Sequence, residues 1–170
     1  MVAHFAVNPP AAPLSLEGLN VLDDAALIAH ILERYHETHR REWPVLIELA
    51  GKVERVHADA PEAPIGLAAL LQEIAAELEA HQQKEEQVLF PMMLRGAPPM
   101  IRHPIARMMM EHDDVGALLR EMERLTGNLV EPADACGSWR RLYAGCRKFR
   151  DDLEAHIMLE NTVLFPRFLD

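Results

Sequence analysis

One eleven-residue pattern, HxxxExxxLFP, occurs twice in this chain: HQQKEEQVLFP from His81 to Pro91 and HIMLENTVLFP from His156 to Pro166, 75 residues apart. Residues four apart on a helix share a face, separated by about 6 Å along the axis. Each copy therefore sets an imidazole beside a carboxylate on one helical stripe. Because Leu, Phe and Pro follow at identical offsets, two helices perform equivalent jobs.

The rest of the chain fits the same reading. Apolar residues recur with helical period in four segments separated by Gly- and Pro-rich stretches, and nothing alternates as a strand would. The first helix is predicted from the N-cap Asp23 to about His57, along the seam Ala29, Leu32, His36, His39, Trp43, Leu46, Ala50 and Val53, with Pro44 bending it. The second is predicted to begin at Pro64 or Ile65 and to run to Pro91. The third starts with Pro104 and ends near Gly127-Asn128, and the last runs from about Asp134 to Phe168. Helices this long with short connections predict an all-α, antiparallel up-and-down four-helix bundle. Residues 1–20, rich in Pro and Ala, read as an extended tail, and residues 21–170 as one domain.

The internal repeat also reaches the other two helices. A step of 76 residues carries His36, in RYHET, onto His112, in MEHDD. His36 precedes His81 by 45 residues and His112 precedes His156 by 44, so each half reads as a His followed one helix pair later by HxxxE. Approximate two-fold symmetry brings His36, His81, Glu85, His112, His156 and Glu160 to one central layer. Burying such a set is costly unless the groups are paired or coordinate a metal. Imidazole with carboxylate and no thiolate suits iron or manganese, with zinc tolerated, and carboxylates on opposing helices are placed to bridge two ions. With only two carboxylates, two ferric ions and an oxo bridge would keep net positive charge, which suits taking up and releasing a small ligand.

Composition excludes other classes. Lys and Arg total 17 against 27 Asp and Glu, a formal charge of -10 with no basic block, which disfavours nucleic-acid binding. No run approaches the roughly 20 apolar residues of a membrane span, and the N-terminus lacks the pattern of a secretory leader; a cytoplasmic protein is expected. No phosphate loop or nucleophile triad is present. Cys136 and Cys146, if on one helix, lie about 15 Å apart along its axis and cannot pair, so they read as packing or surface thiols.

The stretches RYHETHRREWPVLIELAGKVERVHAD, HQQKEEQVLFPMM, MEHDD, ACGSW and DDLEAHIMLENTVLFPRF, which together span most of residues 27–168, resemble the hemerythrin-like domain, and specifically the family of di-iron proteins for repair of iron centres. The resemblance implies a di-iron centre, oxo- or hydroxo-bridged, with His36, His81, His112 and His156 as terminal ligands and Glu85 and Glu160 as bridging carboxylates. It also implies a role in nitrosative and oxidative stress, repairing damaged iron-sulfur proteins by iron donation or by handling nitric oxide. Two alternatives stand beside this: reversible binding or sensing of nitric oxide or dioxygen, and a nitric oxide reductase. Relatives usually carry an N-terminal domain with adjacent cysteines, for which this chain offers only a short cysteine-free segment. Classical hemerythrins place a further His four residues after the one on the third helix; here that position is Gly116, which predicts a more open centre.

Several other residues lie near the expected layer. His39, one turn from His36, reads as a partner behind the ligands or as a further ligand. His57 is 21 residues beyond His36, ~31 Å on a straight helix, and reads as structural or surface. His30 and His103 fall off the ligand-facing angles. Glu37, Glu86, Glu111 and Asp113 flank ligands as solvated or supporting carboxylates, Tyr35 and Trp43 line the pocket or pack, and Met108, Met109 and Met110 are read as core packing.

Overall fold

The computed structural model describes residues 16–169, which are helical with short connections. Helix α1 is the single stretch Leu16–Asn20. Helix α2 is continuous over 24–56, made of Asp24–Ile31, a wide π turn Leu32–His36, and Glu37–Val56. Helix α3 covers 67–94 as Leu67–Lys84, a π turn Glu85–Leu89, and Phe90–Leu94. Helix α4 is Arg102–Leu125, entered through the 3-10 turn Pro99–Ile101. Helix α5 covers 137–168 as Gly137–Leu159, a π turn Glu160–Leu164, and a final 3-10 turn Phe165–Phe168.

Cross-links show the sense of packing. Between α2 and α3, His36 meets Glu86, Arg40 meets Glu79, and Glu54 accepts the Ala68 N–H, so residue numbers run in opposite directions. Arg34 with Asp152 and Lys148 with Glu42 do the same for α2 and α5, as do His112 with Asn161 and Arg150 with Glu123 for α4 and α5. The long helices thus form the expected antiparallel bundle, with α2 and α4 each lying against both α3 and α5.

Helix boundaries differ from expectation in instructive ways. Asp23 is the N-cap of α2, its side chain accepting the Ala26 N–H at 2.8 Å. Helix α2 continues past Pro44 to Val56. Upstream of His36, however, the buried residues are Leu27, Ile28, Ile31 and Tyr35, whereas Ala29 is exposed and Leu32 half-buried. The π turn at Leu32–His36 inserts one extra residue, so the inward face before it is shifted by one position. Helix α3 starts at Leu67, later than Pro64 or Ile65, because Gly66 with φ +96° turns the chain immediately before it. Helix α4 starts at Arg102, placing Pro104 within its first turn, and α5 starts at Gly137. Within the stretch read as a tail, Leu16–Asn20 is helical and Leu19 is buried; residues 1–15 lie outside the described residues.

The apolar core is in two parts. One contains Leu46, Ala50, Leu71, Leu78, Val115, Leu119, Trp139 and Phe149. The other contains Leu19, Leu27, Ile31, Phe90, Ile105, Met108, Leu159 and Phe165. Between them lies a buried polar layer. Met108 is buried, but Met109 and Met110 are exposed, so only one of the three methionines packs in the core.

Candidate metal centre

The layer contains the residues that the repeat brings into register. His36, His81, Glu85, His112, His156 and Glu160 are each no more than 4 % exposed. They form two overlapping groups, His36–Glu85–His156–Glu160 and His81–Glu85–His112–Glu160, in each of which one ligand atom per residue lies within 4.8 Å of the others. Glu85 and Glu160 belong to both.

The LFP that follows each pair has a structural reason. Glu85 and Glu160 are the first residues of π turns, and their carbonyls accept the N–H of Phe90 and Phe165 five residues on. Pro91 and Pro166 come next and have no N–H to donate, which disfavours ordinary four-residue bonding at that point. Leu89, Phe90, Leu164 and Phe165 are all buried. The Phe90 ring stacks at 5.9 Å on His36 and the Phe165 ring at 5.9 Å on His112, so each phenylalanine braces a histidine of another helix.

Hydrogen bonds behind the rings fix which nitrogen faces the layer. His36 Nδ1 donates to Glu86 at 2.8 Å, and Arg40 binds Glu86 and Glu79 in turn. His81 Nδ1 donates to Glu111 at 3.1 Å, where Lys84 and Arg107 also donate. His112 Nδ1 donates to Asn161 at 2.9 Å. A carboxylate or an amide oxygen can only accept, so these imidazoles carry hydrogen on Nδ1 and turn the Nε2 lone pair inward. His156 has its Nε2 at 3.1 Å from Glu160, but its Nδ1 has no partner.

The inward-facing atoms crowd together: His36 Nε2 lies 3.4 Å from Glu85, His112 Nε2 lies 3.1 Å from both Glu160 and His81 Nε2, and both Glu85 oxygens lack hydrogen bonds. Burial and the neighbouring Glu160 charge push Glu85 up to about 8. Burial also opposes charge on Glu160, but His156 and His112 draw its carboxyl well below the ordinary range. Burial lowers His81, whereas His112, despite burial, is raised by its contact with Glu160. At the rim, Lys84, Arg107 and His81 outweigh burial and hold Glu111 down at about 2. Converging lone pairs and carboxylates with protons held between them are a donor set suited to cations.

Other residues are placed more precisely than the sequence allowed. Glu86 and Glu111 are supporting carboxylates, whereas Glu37 and Asp113 are exposed. Asn161 was not singled out, although the 75-residue offset maps it onto Glu86. His39 is fully buried, with both nitrogens unpartnered, between Tyr35, Phe149 and His156, and burial drives it down to about 3. It is not in either four-residue group. His57, far from the layer, contacts Cys136 Sγ at 3.1 Å and packs on Trp139. Cys136 is the N-cap of α5 and not a helical residue, so the two cysteines do not share one helix. A Cβ at Gly116 would stand 3.5 Å from Arg120 Nη1, and the gap lined by Leu78, His81, His112, Val115, Leu153, His156 and Ile157 admits no water-sized sphere.

Comparison with known proteins places these observations in context. Residues 27–168 match the family model described as the hemerythrin HHE cation-binding domain. The chain is 50 % identical over 146 residues to a probable iron-sulfur cluster repair protein of Haemophilus influenzae, covering 86 % of this chain and 66 % of that one. It is 49 % identical over 145 residues to the iron-sulfur cluster repair protein YtfE of Citrobacter koseri, covering 85 % and 66 %, and 48 % identical over the same length to that of Escherichia coli O1:K1. The alignments thus span just under two thirds of those relatives. Among the described residues no helix is long and apolar enough to cross a membrane.

Proposed function

Since the chain belongs to the hemerythrin HHE cation-binding family, we propose that its buried layer holds two iron ions and that the protein serves the repair of damaged iron-sulfur centres. The observation that carries this is the pair of four-residue groups sharing Glu85 and Glu160. In this reading His36 and His156 hold one ion, His81 and His112 hold the other, and the shared glutamates bridge them. The printed names of the relatives support the repair role.

Bound iron supplies redox and ligand-exchange chemistry. The chain's own contribution is to orient four imidazoles, to exclude water, and to manage protons. Glu86, Glu111 and Asn161 fix ring orientation and keep Nε2 available, which typically governs affinity by 10- to 100-fold. Because Glu85 retains a proton near neutrality, iron uptake releases one and protonation favours departure. With iron as cargo, that coupling suits delivery to an apo client in the cytoplasm.

Anaerobic purification with metal analysis tests the centre. Two irons per chain are expected, with loss on Glu160→Ala; fewer than one iron per chain after reconstitution would reject it. Reactivation of an oxidised or nitrosylated iron-sulfur dehydratase by the loaded protein tests the role, and a client that stays inactive would reject repair.

A further inference from the structure

His39 is a buried group that the proposed centre does not use. Its ring is enclosed by Tyr35, Phe149 and His156, with centroids at 6.3, 5.3 and 5.7 Å, and it has no exposed surface. A neutral imidazole offers one N–H and one lone pair. In His39 neither nitrogen meets a protein group. The neighbouring His156 turns Nε2 to Glu160 and leaves Nδ1 unpartnered, so it too presents an unused polar atom away from the ligand side.

The internal repeat shows what is unusual here. His36, His81 and His112 are backed by Glu86, Glu111 and Asn161, whereas His156 has no protein group behind it. Stepping back by 76 residues carries Glu111, which backs His81, onto Tyr35, whose ring lies parallel to His156 at 5.0 Å and offers stacking in place of a carboxylate. The same step carries Val115 onto His39. The polar group missing at one position is supplied at the other, with ring centroids 5.7 Å apart and no direct bond between them. A single bridging molecule spans about 5.5 Å between two polar atoms at ordinary hydrogen-bond lengths.

We propose that His39 and Nδ1 of His156 hold between them one small neutral hydrogen-bonding molecule, water in the resting protein, and that the metal position of His36 and His156 is consequently the more labile. The proposal rests on the two-ion reading above. Water bridges of this kind satisfy buried polar groups in place of side chains. A replaceable molecule holds a ligand ring less firmly than a carboxylate anchored by Lys84 and Arg107 holds His81. The two positions therefore differ in retention although each has two imidazoles and shares both glutamates.

The test uses full-length protein loaded anaerobically with iron-57 and challenged with a ferrous chelator. Wild-type protein should show two Mössbauer doublets of equal area and release iron in two phases of equal size. His39→Leu should speed the fast phase about tenfold and leave the slow one unchanged. Glu111→Gln should speed the slow phase. A single release phase in wild type, or equal effects of His39→Leu on both phases, overturns the proposal. A crystal structure of the loaded wild-type protein provides a check independent of any variant. One water bonded to both His39 and His156 Nδ1 is expected, and a direct ring-to-ring bond or an apolar gap overturns it. Fewer than one iron per chain in reconstituted wild type would instead reject the two-ion centre itself, whereas two irons leaving in one phase would reject only this inference.

Discussion

Glu85 ought to have opposite effects on the empty and the loaded protein, and Glu85→Gln separates them. In the metal-free fold, burial and Glu160 raise its carboxyl from 4.5 to about 8. Between those values the unfolded carboxyl is ionised while the folded one holds its proton, so stability falls as pH rises and the full cost is reached above about 8. At pH 7 the protein stands about 2.5 pH units above the ordinary value, which at about 1.36 kcal/mol per unit is roughly 3 kcal/mol as an upper figure. Glutamine has the shape of the protonated acid and no charge to bury. Metal-free Glu85→Gln should therefore be more stable than wild type by up to about 3 kcal/mol at pH 7, and by about 0.8 kcal/mol at pH 5. For a chain of this size the pH 7 gain corresponds to a Tm rise of about 6–10 °C. Thermal unfolding in chelator across pH 5–8 measures it. The iron-loaded variant should move the other way, with lower metal content and lower Tm. A metal-free variant that is less stable, or a difference that does not grow with pH, would refute the electrostatic reasoning.

Two further predictions concern parts of the fold away from the layer. Cys136 is the N-cap residue of α5, and the nearby Trp139 backbone N–H, His57 and the Ser138 backbone N–H lower its thiol, whereas burial pushes Cys146 up to about 12. At pH 8, iodoacetamide should alkylate Cys136 faster than Cys146 by roughly a thousandfold, the three-unit gap between about 12 and the ordinary thiol value; peptide mass analysis showing comparable rates would refute it. Gly145 lies where α2 and α5 approach, and an added Cβ would stand 2.6 Å from Leu46. Gly145→Ala should cost about 1–3 kcal/mol by overpacking, read as a lowered Tm. Adding Leu46→Ala should recover part of that loss relative to the sum of the single effects; strict additivity would show that the clash is not the cause.

The bundle was legible because helical period, N-cap and breaker residues agreed, and the candidate layer because two motif copies and their 75- and 76-residue offsets put one residue type at each symmetric position. Periodicity failed at Ala29 and Leu32 because a π turn leaves no mark in an ordinary helical wheel, even though it moves the buried face to Ile28 and Ile31. Cys136 and His57 are 79 residues apart in sequence, and only the packing of α2 beside the start of α5 reveals their contact. The support of His112 by Asn161 could have been found from the same 75-residue repeat that placed the glutamates.

The interruption of the apolar core by a polar layer has a consequence for how long each molecule survives. Leu27, Phe90, Ile105 and Phe165 form one end of the bundle and are joined to the other end through a layer in which the buried Glu85 carboxyl faces the Glu160 charge. A ligand present at a thousand times its dissociation constant adds about 4 kcal/mol to the folded state. Occupancy then determines how often that end opens, and proteases cut in proportion to the open population when reclosure is fast. Under the proposed two-iron reading, a molecule that has surrendered its metal would become the preferred target for degradation, so the layer proposed to hold the cargo would also mark whether it has been delivered.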